Sequence, residues 1–530
     1  MLPKIDLVYI GNKPSFGWKY GKVIHADDSV KEICSTINLL ATNTSADWVL
    51  FWGNQSGDID EQLLEQLTQQ HIDVWHAGLK LGLNGLPDAI NYINPAWIYN
   101  KDANEDIQNS SFRMSMYGCL IRTVVLRHIS QYSFSHYASV NMLGLAIGYA
   151  LIKSGAIMRY HPQLVTNSKK QTVTISEKDE WQFVKQFFPK KWQWWVAVNK
   201  KGIISNAINL IQSTKATRLL LQPIIHSSNE NINAAHKTVS VLAPTLDRYS
   251  YLYNELEQLS KQTIKPIEIL VTDQTDAGKR QNLDSSRFSG LNIKYFPQTD
   301  KGQCTAWNKL LNEATGDYVL FLGDDADNIT DGFIEKLLAT AIKYNADIVA
   351  SNVIEIGMPE KPVNDHYYMS DTFPITLAKR DVILKAGGMD MFFNKNIRAD
   401  YDLALRCHNN GALMIFDSSA TIHHHRASVG GLRTYNARAI TNRLSKNSIT
   451  RFAEPTSSEL FLVKKHFNEK QFKMFVRIKY FDQLIVNGSI IKKTLRLLVF
   501  IWKIPAFIKR YKQRLAEAND ELRSRGVLKY

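Results

Sequence analysis

Two short acidic stretches hold the residues of this chain whose types and spacing are best suited to chemistry. Gly-Asp-Asp-Ala-Asp occupies 323–327 and follows an apolar run, 318–322, that is typical of a buried strand. Carboxylates at the end of such a strand are costly unless solvent or a cation meets them, and a divalent cation relieves their mutual repulsion. The second stretch, Asp-Tyr-Asp-Leu-Ala-Leu-Arg at 400–406, supplies a candidate general base. Together they suggest metal-assisted transfer from a nucleotide-linked donor.

The elements that must position these acids alternate between strand and helix. Strand patterns lie at 239–243, 267–271, 292–296 and 318–322, and helical patterns lie at 249–260 and 306–314. This alternation predicts a doubly wound, mostly parallel α/β sheet whose ligands bind beyond the carboxyl ends of the strands. Because Asp273 follows the second strand, we expect it at the same edge as residues 324–327.

A faint internal repeat predicts a second domain of the same kind. Residues 46–53 (Ala-Asp-Trp-Val-Leu-Phe-Trp-Gly) resemble residues 316–323 (Gly-Asp-Tyr-Val-Leu-Phe-Leu-Gly), and similar helix and strand patterns follow both. The acids are not repeated, because the positions of Asp324, Asp325 and Asp327 are taken by Asn54, Gln55 and Gly57. We therefore expect the first copy to be catalytically silent. The alternative is that any strand–turn–helix unit would produce this likeness.

Length and composition bound the architecture and the compartment. A chain of 530 residues is too long for one core, and we expect four parts, at 1–170, 171–237, 238–445 and 446–530. The four cysteines are scattered without a Cys-x-x-Cys pair, which favours a reducing compartment and argues against structural zinc. The first residues lack a signal pattern, and no uncharged apolar stretch reaches the ~18 residues that span a bilayer. These features predict a cytoplasmic protein.

The net charge of +14 predicts an anionic partner. No nucleic-acid-binding motif is present, so phosphorylated substrates and anionic lipid are the expected partners. Residues 490–514 mix apolar and basic side chains, which predicts a helix interrupted at Pro505 that either lies on an anionic membrane or docks on the protein. The aromatic and basic segment 181–195 predicts either a packed helix between domains or a contact with membrane or a lipid-linked acceptor.

The order of motifs along 238–430 resembles the family 2 glycosyltransferases of the GT-A fold. The motifs are, in chain order, Pro244-Thr245 with Arg248, Gln262, Asp273, Lys301-Gly302, Ala306 with Asn308, the cluster 323–327, Gly387-Gly388 with Asp390, Asp400 to Arg406, and His423. The resemblance implies two tandem GT-A-like, Rossmann-like domains, the first degenerate, followed by a helical basic tail. It also implies transfer of a sugar from a nucleoside-diphosphate sugar to a surface-glycan or lipid-linked acceptor.

The resemblance implies a role for each matching residue. Asp400 would be the general base of an inverting reaction. The donor would be held by Thr245, Arg248, Asp273, Asn308, Asp324 and Asp325, with the nucleobase on Asp273. Mg²⁺ or Mn²⁺ would bind Asp325, Asp327 and His423. The acceptor side would include Asp402, Gly388 and Asp390.

Simple geometry limits some of these roles. Asp400 and Asp402 are two residues apart, so they face different directions on a helix, and Asp402 is a candidate partner for Arg406. Adjacent histidines on a strand point to opposite faces, so we expect only one of residues 423–425 to be functional. The tandem Gly387-Gly388 favours close backbone approach over phosphate binding.

Three positions depart from the family pattern. Gly323 stands where the family often has its first Asp, so the metal register is either 324/325 or 325/327. Ala399 replaces a common Glu, and Trp307 replaces a common Arg.

These departures support an alternative in which the protein is an inactive glycan- or partner-binding module. A nucleotidyltransferase would need a Gly-rich loop that 244–248 does not provide. We therefore expect a cytoplasmic glycosyltransferase, peripheral on the inner face of the membrane.

Overall fold

The structure is a computed structural model that describes most of the chain. The described residues are 3–13, 16–53, 56–93, 100–167, 172–212, 217–226, 232–234, 236–288, 290–357, 368–369, 373, 375–425, 435 and 440–526. Asn54 and Gln55, which the repeat aligns with Asp324 and Asp325, lie outside these ranges.

The first half of the chain is built around a six-stranded sheet. The strands, in chain order, are β1 (Ile5–Ile10), β2 (Val23–Ala26), β3 (Trp48–Gly53), β4 (Asp58–Ile59), β5 (Val74–His76), β6 (Gly118–Arg122), β7 (Met158–Tyr160) and β8 (Val165–Thr166). The sheet has the order β2-β1-β3-β6-β5-β7, and β4 pairs separately with β8. Its helices are α1 (Val30–Asn43), α2 (Glu61–Thr68), α3 (Thr123–Ile129) and α4 (Val140–Lys153). Every residue of β3 is buried, as expected for a strand covered on both faces.

Three helices follow, and the first of them packs on α4. They are α5 (Glu177–Phe187), α6 (Lys190–Asn199) and α7 (Ile203–Gln212). Trp181 and Phe183 of α5 are buried, and the Phe183 ring lies 5.2 Å from the Tyr149 ring of α4. Trp195 of α6 contacts Phe481 near the C-terminal end of the chain, with ring centroids 5.0 Å apart. These contacts favour the first of the two alternatives, a packed helical connection.

The second half of the chain is built around a nine-stranded sheet. The strands are β9 (Val239–Thr245), β10 (Glu268–Asp273), β11 (Ile293–Pro297), β12 (Tyr318–Phe321), β13 (Ala326–Asp327), β14 (Ile348–Glu355), β15 (Tyr368–Met369), β16 (Thr376–Lys379) and β17 (Met414–His424). Their order is β11-β10-β9-β12-β16-β14-β17-β13, and β15 also pairs with β17. The helices are α8 (Tyr249–Leu259), α9 (Gln303–Glu313), α10 (Phe333–Lys343), α11 (Arg380–Lys385) and α12 (Ala399–Asn409).

The two sheets share one topology. The six central strands of the second sheet, β10-β9-β12-β16-β14-β17, follow the order of β2-β1-β3-β6-β5-β7 in the first. In both, the fourth strand runs antiparallel to its two neighbours and the other pairs are parallel. The predicted mixed α/β fold with mostly parallel sheets is confirmed. The proposal that the first half is a degenerate copy of the second stays a prediction.

The C-terminal region is helical and packs on both halves. Its helices are α13 (Asn442–Asn447), α14 (Ser457–His466), α15 (Glu469–Asp482) and α16 (Ile490–Ser524). Lys470 of α15 forms an ion pair of 2.8 Å with Asp88, and Gln471 donates hydrogen bonds to Asn91 and to the Asn100 carbonyl. These contacts attach α15 to the first half.

The predicted interruption at Pro505 is wrong, because α16 continues through this residue for 35 residues. Pro505 lies at an exposed position of the helix, and because proline has no N–H it leaves the Ile501 carbonyl without its helical donor. The helix is anchored instead at Arg496, which is fully buried. Its guanidinium donates to the carbonyls of Gln483, Ser445 and Arg451 and lies 4.0 Å from the centroid of the Phe452 ring. Among the described residues, no helix combines the length and apolar character needed to cross a membrane.

Replacing Arg496 tests this anchor. Arg496→Met would leave several buried carbonyls without a donor, and we expect it to destabilise the C-terminal region by about 3 kcal/mol. Limited proteolysis should cleave the C-terminal helical region from the variant at a temperature where this region of the wild type is not cleaved. Lys493→Met, on the exposed side of the same helix, is the matched control and should behave like the wild type. Equal protease resistance of Arg496→Met and the control would contradict this role.

Candidate active site

The acidic cluster lies beyond the carboxyl end of β12, as predicted. Gly323 has a φ of 93°, in the left-handed region that side chains with a Cβ rarely adopt. Glycine is suited to this conformation. The chain turns there, so that Asp324 and Asp325 follow in a short bend before β13.

Asp324 is a buried carboxylate fixed from two directions. Thr245, at the end of β9, donates its hydroxyl to Asp324 Oδ2 at 2.8 Å. Arg248 Nη1 lies 3.0 Å from Asp324 Oδ1 and 3.0 Å from Asp325 Oδ2, so one guanidinium nitrogen serves both acids. Burial nevertheless raises the pKa of Asp324 to about 6. Thr245 and Arg248 therefore contact the carboxylates directly, and their predicted role in donor binding stays a prediction.

Asp325 and Asp327 meet two histidines at the end of β17. The antiparallel pairing of β13 with β17 places His424 Nε2 3.1 Å from Asp325 Oδ1 and His425 Nε2 2.8 Å from Asp327 Oδ2. His423, the histidine predicted from the sequence, instead places its Nε2 3.5 Å from the amide of Asn328. The expectation that a single histidine would serve the site is corrected, since His424 and His425 both reach the acids.

The surroundings of these two acids favour their ionised forms. Burial alone would raise the pKa of Asp325, but the hydrogen bond from His424 and the charge of Arg248 hold it below its usual value. The bond to Asp325 in turn raises the pKa of His424. Burial likewise opposes ionisation of Asp327, yet hydrogen bonds lower its pKa to about 2. Its donors are the Asn254 amide, the Asn328 N–H, His425 and the Gln258 amide.

A fourth acid, Glu255, lies close to this cluster and was missed by sequence reasoning. It is fully buried on α8, and burial together with the charges of Asp324 and Asp325 raises its pKa well above the usual range. The sequence carried a signal for it, because Glu255 lies on the same helical stripe as Leu252, Leu256 and Leu259, where an apolar residue is expected.

Asp273 lies at the predicted edge but is closed off by its neighbours. Its carboxylate is fully buried. It accepts hydrogen bonds from the Tyr249 hydroxyl at 2.6 Å, from the Thr275 N–H at 2.8 Å, and from the Tyr295 hydroxyl. Contact between Asp273 and a nucleobase would require one of these donors to move.

Asn308 connects α9 to the glycine-rich turn. Its amide donates to the Met389 carbonyl at 2.8 Å and accepts from the Met389 N–H at 2.7 Å. Gly388 has a φ of 64°, and a Cβ there would lie 2.6 Å from Asn308 Oδ1. The predicted close approach of backbone at Gly388 is thus confirmed, while Asn308 is placed as a residue that positions this turn.

The helix that carries Asp400 is held at its first turn by the C-terminal region. Arg398, directly before α12, adopts a φ of 89° and donates to Glu459 of α14 at 3.0 Å. Asp402 is fully buried and pairs with Arg406 at 2.7 Å, as the spacing predicts, and with Lys465 and His466 of α14, each at 2.8 Å. Asp400, on the same turn, is half-buried.

Two residues predicted on the acceptor side are therefore enclosed. Asp402 is fully buried, and Asp390 pairs with Lys465 at 2.9 Å and with Arg525 at 2.7 Å. Burial alone would raise the pKa of Asp402, but the hydrogen bond from His466 and the charge of Arg406 hold it well below its usual range. Burial lowers the pKa of His466, which therefore donates as a neutral imidazole. These contacts give both aspartates a structural role.

A comparison with protein families decides the nature of this part of the chain. Residues 240–406 match the family model described as glycosyl transferase family 2. This segment is a family 2 glycosyltransferase domain. The matched range contains Arg248, the cluster 324–327 and Asp400, and it ends at Arg406.

Curated relatives of the glycosyltransferase domain carry matching names. The chain is 33% identical over 124 residues to "Glycosyltransferase GlyA" of Streptococcus pneumoniae, covering 23% of this chain and 18% of that protein. It is 28% identical over 120 residues to a Campylobacter jejuni protein named "GalNAc(5)-diNAcBac-PP-undecaprenol beta-1,3-glucosyltransferase", covering 22% and 38% of the two chains. The chain therefore spans less than half the length of these relatives.

Solved structures are similar at a lower level. A structure of S. aureus TarS 1–349 with UDP-GlcNAc has a TM-score of 0.35 and 16% sequence identity, covering 53% of this chain and 87% of that one.

No group of three or more His, Cys, Asp or Glu side chains with a metal-binding arrangement occurs in the described part of the glycosyltransferase domain.

The raised pKa of Asp324 makes a prediction for the pH dependence of stability. Native Asp324 keeps its proton up to a pH of about 6, whereas an unfolded aspartate releases it at about 4. The native domain therefore loses stability as the pH rises between these values, and Asp324→Asn does not share this loss.

We expect the melting temperature of Asp324→Asn, relative to that of the wild type, to increase between pH 4 and pH 6 and to level off above. Differential scanning fluorimetry across this range measures it. A difference in melting temperature that stays constant with pH would show that the pKa of Asp324 is not raised in the native protein.

The burial of Asp402 leads to a second prediction, which concerns thermal stability. Asp402→Asn would leave the charge of Arg406 without its acid partner and would leave Lys465 with Asp390 alone, at a cost of about 3 kcal/mol. Thermal unfolding should show a clear loss of stability. Asp381→Asn, at an exposed position of neighbouring α11, is the matched control. Equal melting temperatures for the two variants would contradict the role assigned to Asp402.

Proposed function

We propose that this protein is an inverting glycosyltransferase that moves a sugar from a nucleoside-diphosphate sugar to an acceptor hydroxyl. The observation that most supports this activity is the set of three acids at the carboxyl edge of β12, placed inside a family 2 domain and surrounded by Arg248, His424 and His425. An edge of this kind is where open α/β sheets bind their ligands. The three cationic or protonatable side chains suit a diphosphate.

Asp325 and Asp327 are the residues proposed to hold a divalent cation. Both carboxylates are partly exposed, and each accepts a hydrogen bond from a histidine of the same strand end. Carboxylate oxygens with nearby imidazoles are a donor set that fits Mg²⁺ or Mn²⁺. We therefore favour the 325/327 register over 324/325, because Asp324 is buried and fixed by Thr245 and Arg248. A cation bound there supplies charge neutralisation for the leaving diphosphate.

Asp400 is the residue proposed as general base. Of the two acids on the first turn of α12, Asp402 is fully buried and committed to Arg406, Lys465 and His466, whereas Asp400 is half-buried. The carboxylate of Asp400 would take the proton of the acceptor hydroxyl as its oxygen attacks the anomeric carbon. The bond from that carbon to the diphosphate breaks in the same step, which inverts the configuration. A positioned base contributes about 10²–10⁴-fold to such a reaction.

The acceptor is proposed to be a surface glycan or its lipid-linked precursor, reached from the inner face of the plasma membrane. Two features support this choice: the basic helical tail, and the undecaprenol-linked compound in the name of one relative. We also propose that the first half is a degenerate, non-catalytic copy of the glycosyltransferase domain, supported by the shared strand order and by Gly57 at the position of Asp327.

The alternative function is a catalytically inactive glycan- or partner-binding protein. One observation favours it: the carboxylate of Asp273 is closed by Tyr249 and Tyr295, although the family resemblance assigns it to the nucleobase. Ala399 in place of a glutamate points the same way.

Isothermal titration of the purified chain with UDP and with GDP, each with and without Mn²⁺, separates the two functions. We expect one nucleotide to bind in a Mn²⁺-dependent manner. Asp325→Asn/Asp327→Asn should weaken this binding by at least about tenfold, since it removes the charges that hold the cation.

Asp381→Asn, on the exposed surface of α11, is the control and should bind like the wild type. Binding of neither nucleotide would favour the inactive alternative. Binding that is equal with and without Mn²⁺ would contradict the metal site.

A further inference from the structure

Helix α16 presents an apolar outer face along residues 490–508. Ile490, Ile491, Leu498, Ile501, Trp502 and Ile508 are all exposed, and Trp502 is 77% exposed. At 100° per residue these side chains fall on one side of the helix. So large a set of exposed apolar side chains on one helix marks an interaction surface.

The opposite face of the same helix is folded against the protein. Arg496 and Phe507 are eleven residues apart, three turns of helix, and both are buried. Their common partner is Phe452, whose ring centroid lies 5.1 Å from that of Phe507. The two sequence alternatives, docking on the protein and facing a membrane, thus apply to opposite faces of one helix.

The charges along this helix indicate which partner the outer face meets. The sequence from 483 to 516 contains no Asp or Glu, and it contains Lys493, Lys509 and Lys512, which are all exposed. An apolar face with Trp and a basic border is typical of helices that lie in the headgroup region of anionic lipid bilayers. A second copy of the chain is disfavoured as the occupant, because two such faces would bring like charges together.

We propose that the outer face of residues 490–508 docks on an anionic lipid bilayer, with the axis of α16 parallel to the membrane surface. Apolar side chains such as Ile501 and Trp502 enter the boundary between headgroups and acyl chains, while Lys493 and Lys509 contact lipid phosphates.

Docking in this orientation has a consequence for the acceptor. Helix α16 is about 50 Å long, and its far end reaches the catalytic region, where Arg525 pairs with Asp390 at 2.7 Å. Asp390 and Asp402 share Lys465, so the end of the membrane-docked helix lies beside the turn that carries Asp400. This placement suits an acceptor anchored in the bilayer by a lipid. The acceptor inference rests on the proposed function, whereas the docking does not.

Sedimentation of the full chain with lipid vesicles tests the docking. We expect most of the wild-type protein to sediment with vesicles that mix phosphatidylglycerol and phosphatidylcholine. A much smaller fraction should sediment with vesicles of phosphatidylcholine alone. Ile501→Gln/Trp502→Gln should lower the partition coefficient by at least about tenfold, since it removes two inserted side chains. Lys493→Glu/Lys509→Glu should abolish the preference for phosphatidylglycerol, and added salt should weaken binding of the wild type.

Leu39→Gln/Val124→Gln provides the matched control, because both residues are exposed apolar side chains of the first half. It should bind vesicles like the wild type. All variants should keep the wild-type response to nucleotide titration, so that a failure of docking is distinguished from a failure of the donor site.

The proposal is overturned if the wild type stays in the supernatant with both kinds of vesicle. It is also overturned if Ile501→Gln/Trp502→Gln binds as well as the control. Light scattering measures the oligomeric state of each variant. If the wild type and the control are dimers and Ile501→Gln/Trp502→Gln is a monomer, a second copy of the chain occupies the outer face.

Discussion

The arrangement of the site depends on the sharing of one guanidinium between two adjacent acids, Asp324, which is buried, and Asp325, which is partly exposed. Asp324 and Asp325 are adjacent in the chain, and two carboxylates so close together cannot both ionise in a buried place without a cation between them. Arg248 provides it, with one nitrogen 3.0 Å from each carboxylate. Because Arg248 lies between β9 and α8, this contact joins the first strand–helix turn of the domain to the end of β12. Asp327 is held separately by Asn254 and Gln258 of α8.

A second set of ion pairs attaches the C-terminal helices to the turn that carries Asp400. Asp402 and Asp390 share Lys465 of α14, and Glu459 of the same helix holds Arg398 in its left-handed conformation. Helix α14 is thus packed as part of the glycosyltransferase domain. Without α14, Arg398 would lose Glu459, and Asp402 would keep only Arg406 of its three partners.

The sequence predicted the parts that depend on local pattern. Apolar runs located the strands around Asp273 and Asp324, and the four-residue spacing identified the pair of Asp402 with Arg406. The parts it missed depend on long-range register. Which histidine meets Asp327 is decided by the pairing of β13 with β17, about a hundred residues apart in the chain, and adjacent histidines gave no means to choose. The course of α16 through Pro505 was missed because it depends on which side of the helix faces solvent.

Asp400 is proposed as the base of an inverting transfer at the site built by Arg248 and its acids. The rate of nucleoside-diphosphate release from the donor that binds, measured together with the anomeric configuration of the product for the wild type and for Asp400→Asn, tests this role. We expect inversion by the wild type and a kcat at least about 10²-fold lower in Asp400→Asn, with the KM for the donor unchanged. Retention of configuration, or an equal kcat in the variant, would rule out Asp400 as the base of an inverting reaction.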